Sequence, residues 1–280
     1  MKKKGIVCML GAFFCLCLMR CDIYSTTHST NIRYHFPEKT LISQIDENCL
    51  TEAGGESINK GNKLEKAFLA VLTEEIPVEK QKKVGDSLHQ AISKNGKWIK
   101  DERYKRANRI FQRMKPFLAQ KELAYQVFVV EASEMNAYTI PGGRIYLTSG
   151  LFSHLQSDDE LALVLGHELG HNENQHTLRF LQRQQLAEKF FSQENAQLAA
   201  NVFSVIASPY QQPQELEADR AALYLVYASG YSPEKALTFF ERVKEEKQVS
   251  TIERFTSSHP FVNERIACME MYLEQAKTLK

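Results

Sequence analysis

The chain has 280 residues, enough for one large domain or two small ones and enough to bury a core without disulfides or a structural metal. Hydrophobic residues make up 43% and charged residues 25%, which excludes a mostly disordered chain and a multi-span membrane protein. With 35 Lys and Arg against 34 Asp and Glu, the net charge of +1 offers no basic footprint for nucleic acid and no global field to steer a charged substrate.

The chain opens on Lys2, Lys3 and Lys4, followed by an apolar run from Gly5 to Met19 that Arg20 ends. At about 1.5 Å per residue that run spans roughly 22 Å, short of a hydrocarbon core of ~30 Å. The pattern fits a signal peptide better than a full transmembrane helix, with a short uncleaved anchor as the alternative. Cys21 at the end of the run points to lipoprotein processing, although Arg20 stands where a small residue is expected. Each of these routes exports the chain beyond residue 21, so residues 1–21 are expected to be a signal peptide or a lipoprotein or membrane anchor. Four of the six cysteines lie there, leaving Cys49 and Cys268 as two buried thiols or one bridge.

Residues 22–60 are polar and aperiodic, an extended lead-in before a domain over 61–280. From Lys63 to about Leu118 apolar residues recur at helical spacing, as in Leu64, Phe68, Val71 and Leu72 and again in Ile110, Phe111, Met114 and Leu118. Residues 123–131, 136–140 and 144–148 read as three strands, the last two joined by Pro141-Gly142-Gly143, together a small sheet of hairpins. Ser157 and Glu160 form a capping box for a helix to about Asn172, with Asp158 and Asp159 in its first turn. A long Gln-rich helical stretch is expected over 177–206, with Phe190, Phe191, Val202 and Phe203 as core or lid. Further helices are expected from Pro213 to about Ser229, from Pro233, and over 263–278. No internal repeat is visible, and no helical-repeat extension is expected at the carboxyl end.

The helix after Ser157 carries His167-Glu168-Leu169-Gly170-His171. His167 and His171 are i and i+4, so both imidazoles leave one face about one turn apart. That suits two ligands of one tetrahedral zinc, with Glu168 beside them to take a proton from the attacking water. Chance gives this pattern about 0.02 times in a chain of this composition. A His-x-x-Gly-x-x-His continuation is excluded, because Asn174 and Thr177 stand at those positions. His176, five residues past His171 and about 140° round a continuous helix, is a poor ligand. The other known arrangement takes a Glu from a later helix with an Asp four residues on, and Glu215 and Asp219 fit it. Asp219 would then orient a ligand histidine. Glu217 points away, toward solvent or a salt bridge.

In this combination the chain resembles the zinc metallopeptidases of the HtpX and CAAX-prenyl-protease type, whose fold belongs with the gluzincins. The resemblance covers about residues 120 to 270. It rests on Asn136-Ala137 with Pro141-Gly142-Gly143, on His167-Glu168-Leu169-Gly170-His171, on Glu215-x-x-Ala218-Asp219, and on Ser258-His259-Pro260 followed by Glu264-Arg265-Ile266. It implies an α+β, mainly helical domain with a small sheet preceding the zinc-binding helix. It also implies one Zn2+ per chain on His167, His171 and Glu215, Glu168 as the catalytic base, and peptide hydrolysis. His259 is expected near zinc, stabilising the oxyanion or filling the open position at rest. The strand carrying Arg144 and Tyr146 is expected to be the edge to which substrate backbone adds, with Gly142, Gly143 and Arg144 as substrate contacts. The interval between the active helix and Glu215 holds no apolar run of membrane length, as in exported members of the family. The expected role is periplasmic quality control of unfolded or misassembled envelope proteins, from a membrane anchor at the amino end. A holdase or assembly factor on a peptidase fold is the competing expectation.

Overall fold

The computed structural model describes residues 76–94, 96–183, 210, 212–245, 255, 257–260 and 262–278. The expected anchor, the lead-in, most of the Gln-rich stretch with its four apolar residues, and Cys49 lie outside the described residues. Helix α1 (Val78–Ser93) comes first, then strand β1 (Trp98–Ile99) and helix α2 (Glu102–Met114). Strands β2 (Gln126–Val130), β3 (Ala137–Ile140) and β4 (Arg144–Thr148) come next. Helices α3 (Asp158–Glu173), α4 (His176–Arg183), α5 (Gln212–Ala228), α6 (Pro233–Glu245) and α7 (Val262–Thr278) complete the described part. The fold is α+β and mainly helical, with the sheet ahead of the histidine-bearing helix.

The four strands lie in the order β1-β2-β4-β3. Only β3 and β4 form a hairpin. β2 runs parallel to β4, with Val127 beside Ile145, and β1 joins the far side of β2 antiparallel. Period-two alternation identifies strands and their faces, but it does not set which strand lies next to which. This arrangement corrects one expectation: β4 is paired on both sides, so the edges of the sheet are β1 and β3.

Alternation sends the two sheet faces into two cores. Val127, Val129, Ala137, Ile145 and Leu147 meet the helices α2, α3, α5, α6 and α7. Val130, Ile140 and Tyr146 meet α1 and α4, flanked by Trp98, Phe128 and Tyr138. The turn at residues 141–143 is buried against α1. A Cβ on Gly85 would lie 2.1 Å from the Pro141 carbonyl oxygen, and one on Gly143 (φ +87°) would lie 2.9 Å from Tyr125. Arg144 hydrogen-bonds Asp86 of α1. Gly142 and Arg144 therefore pack on α1, and Gly143 packs on Tyr125.

Helix α3 begins as its capping box requires, with Ser157 Oγ accepting from Glu160 N at 3.2 Å. Glu160 reaches back one residue further than expected, to Gln156 N at 2.6 Å. Its carboxylate is buried and held by Arg242 of α6 at 2.7 Å on each oxygen. The middle of α3 lies directly on α5. A Cβ on Gly166 would come 2.9 Å from Ala222 Cα, and one on Gly170 would come 2.8 Å from the Ala218 oxygen. Small residues on both helices let the backbones touch, which is what brings α5 alongside the histidines.

Candidate metal centre

Three elements converge on one buried point. α3 presents His167, Glu168 and His171, α5 presents Glu215 and Asp219, and the turn before α7 presents His259. Ligand atoms of His167, His171, Glu215 and His259 all lie within 4.8 Å of one another. His171 Nε2 is 2.9 Å from His167 Nε2 and 3.3 Å from Glu215 Oε1. His259 Nδ1 is 3.2 Å from His167 Nε2 and 3.3 Å from Glu215 Oε1. The turn bearing His259 is anchored by Phe255, which packs among Phe239 and Phe240 and accepts the His259 N–H at 2.9 Å.

The donor set fits a metal ion. His167 Nδ1 lies 2.9 Å from Asp219 Oδ1, so that nitrogen carries the proton and Nε2 keeps its lone pair. Burial, and then neighbouring His167, pulls His171 well below the ordinary imidazole value, so it is neutral. Ring nitrogens crowded this closely repel unless a proton or a metal cation lies between them. Imidazoles and one carboxylate are the donors that Zn2+ and similar ions prefer.

Glu168 sits next to this set and stays out of it. It is 1% exposed, and neither carboxylate oxygen has a hydrogen-bond partner among the described residues. His259 Nε2 lies 3.4 Å from its Oε1. Burial pushes the Glu168 carboxyl up, opposed by His259 and His167. Burial acts the same way on Glu215, but Arg265, His259 and His167 hold that carboxyl well below the usual range.

Sequence reasoning brought His167, Glu168, His171, Glu215, Asp219 and His259 together, and the structure places all six in one cluster. It gave no role to Arg265, which is fully buried. The guanidinium binds Asp219 through Nε (2.7 Å) and Nη2 (2.6 Å) and reaches Glu215 Oε2 through Nη1 at 2.5 Å. Its signal was the Glu264-Arg265-Ile266 motif, without a partner to attach to it. Tyr210 was also missed: its ring stacks on His171 at 3.8 Å, and its hydroxyl meets Thr177 Oγ1 at 2.8 Å. No periodicity marked it.

A His-Glu-x-x-His helix whose partner carboxylate comes from a later helix defines a metallopeptidase of the gluzincin kind. Comparison with known proteins makes this specific. The chain belongs to peptidase family M48, whose sequence profile matches residues 101–272. It is 31% identical over 128 residues to the mitochondrial metalloendopeptidase OMA1 of Arabidopsis thaliana, covering 43% of this chain and 26% of that one. It is 25% identical over 178 residues to OMA1 of Schizosaccharomyces pombe, covering 61% and 53%. It is also 25% identical over 161 residues to the beta-barrel assembly-enhancing protease of Escherichia coli K12, covering 51% and 33%. The match thus spans from about a quarter to about half of each relative's length.

Proposed function

We propose that the protein is a zinc endopeptidase that cuts unfolded or unassembled proteins of the cell envelope. The observation that carries the enzymatic part is Glu168, a buried carboxylate whose two oxygens accept no hydrogen bond among the described residues, beside a convergent His-His-Glu set. His167, His171 and Glu215 would hold the zinc. A bound zinc supplies a Lewis acid that polarises the scissile carbonyl. Glu168 takes a proton from the attacking water and passes it to the leaving amine. Asp219 accepts the His167 Nδ1 proton at 2.9 Å and fixes that ring. Arg265 holds Asp219 and turns Glu215 Oε2 away, leaving Oε1 for the metal. Substrate backbone adds to β3, a strand at the sheet edge, whose Ala137 oxygen lies 3.4 Å from His259 Nε2.

His259, 1% exposed, fills the side from which substrate would approach. We take this as the resting arrangement, in which His259 must swing out before a peptide enters. Export through residues 1–21, by cleavage or as an anchor, supports an envelope location, as does similarity to a protein named for β-barrel assembly. Among the described residues no helix is long and apolar enough to cross a membrane. The test is cleavage of an unfolded and a folded form of one reporter protein. With zinc, the unfolded form alone should be cut, and His259→Ala should cut it faster. No zinc-dependent cleavage by either protein would favour the holdase.

A further inference from the structure

An imidazole that binds a metal through Nε2 carries its proton on Nδ1, and a buried N–H needs an acceptor. For His167 that acceptor is Asp219. For His171 it is another histidine, His176, whose Nδ1 lies 2.8 Å from His171 Nδ1. His176 is 1% exposed, and its Nε2 lies 2.8 Å from Glu217 Oε2 on α5. We propose that His176 and Glu217 are positioning residues that lock His171 in its Nδ1–H form with Nε2 directed at the metal donors. This rests on His171 being a metal ligand.

The direction of the relay is set by its end. A carboxylate only accepts, so His176 Nε2 carries the proton and donates it to Glu217. His176 Nδ1 then holds the lone pair and accepts from His171 Nδ1–H. The reverse assignment would face the His176 Nε2 lone pair toward the Glu217 oxygens and place a proton on His171 Nε2, the nitrogen that a metal would need. The backbone is bent to make this contact. On a continuous helix His176 would face away from His171. Instead α3 stops at Glu173, and Gln175 takes a left-handed conformation (φ 59°). The chain re-enters a helix at His176 with the ring turned back onto His171, at 72° and 5.0 Å between centroids. Gln175 does not reach left-handed backbone without cost, so the bend marks a required orientation. The two histidines are thus supported unequally, one by a buried carboxylate and the other by a neutral ring leading to a half-exposed Glu217.

Zinc affinity, measured by chelator competition on the full chain, tests this. His176→Leu should weaken binding about 10- to 100-fold. His176→Asn places Oδ1 where Nδ1 was, still accepts from His171, and should restore affinity to within a few-fold. Glu217→Gln should change little, and Glu217→Ala should weaken binding several-fold. In the zinc-loaded wild type, long-range proton–nitrogen spectra of labelled histidine should show His176 protonated at Nε2 and His171 at Nδ1. That spectrum decides the matter even if His176→Leu does not fold. Equal affinity in His176→Leu, no rescue by His176→Asn, or a His176 proton on Nδ1 would overturn the proposal. If the wild type holds zinc but His171→Ala holds it equally well, the ligand assignment itself has failed.

Discussion

At the scale of single residues, the centre is a set of buried charges that stand only because each has its counterpart. Arg265 is the clearest case: a fully buried guanidinium faces two fully buried carboxylates, Asp219 and Glu215. Removing it strands both. Arg265→Leu is expected to cost about 3–5 kcal/mol in unfolding free energy, and Arg265→Lys to recover only part of that, since lysine lacks the planar fork. Chemical denaturation of metal-free protein measures this. A change below about 1 kcal/mol, the range of exposed ion pairs, would mean that Arg265 is not the counter-charge. The pairs His167/His171 and Glu215/Asp219 were legible in the sequence because i, i+4 spacing on a helix converts directly into a shared face, and the family resemblance joined them with Glu168 into one site. Arg265 was not, because its partners lie 46 and 50 residues away and no local period connects them. His176 was discounted on the geometry of an unbroken helix, and the left-handed Gln175 invalidates that geometry.

At the scale of elements, the site depends on how closely α3 and α5 approach. Gly166 and Gly170 lie against Ala222 and Ala218, with no room for a side chain on either glycine. The sequence showed Gly170 only as a spacer inside the histidine motif, and its role needed the partner helix to become visible. Gly170→Val must push α5 outward, carrying Glu215 and Asp219 away from the histidines. The expected cost is about 1–3 kcal/mol of stability, together with weaker metal binding. Thermal unfolding and chelator competition measure both. Unchanged metal affinity would show that the helices can separate without opening the site. The helix boundaries after Ser157 were close to expectation because caps and dipole charges are local. The sheet order was not legible, since β2 and β4 pair across an intervening strand and β1 is two residues long.

At the scale of the whole molecule, ion pairs tie the start of α3 to neighbouring helices. Burial raises the Glu160 carboxyl, but Arg242 of α6 and its other hydrogen bonds outweigh this and hold it below its ordinary value. Asp158 is likewise lowered, against burial, by Arg106 and Arg109 of α2. A depressed folded value means stability that is present above the unfolded values of 4.5 and 3.8 and is lost as pH falls through the folded ones. The contribution of these contacts to the thermal midpoint of metal-free protein should therefore hold steady from neutral pH down to about 5 and be lost below that. Arg242→Met should lower it at neutral pH and flatten the drop. A variant as acid-sensitive as the wild type would place the titrating contacts elsewhere. Cys268 on α7 is disulfide-bonded, which the sequence had left open, and its partner is not among the described residues.

The most direct test of the metallopeptidase centre compares the protein with Glu168→Gln at equal, measured zinc content on an unfolded substrate. The variant should bind zinc and unfold like the parent but cut about 10²- to 10⁴-fold more slowly. Equal cleavage by both would contradict Glu168 as the base, and with it the catalytic arrangement built around His167, His171 and Glu215.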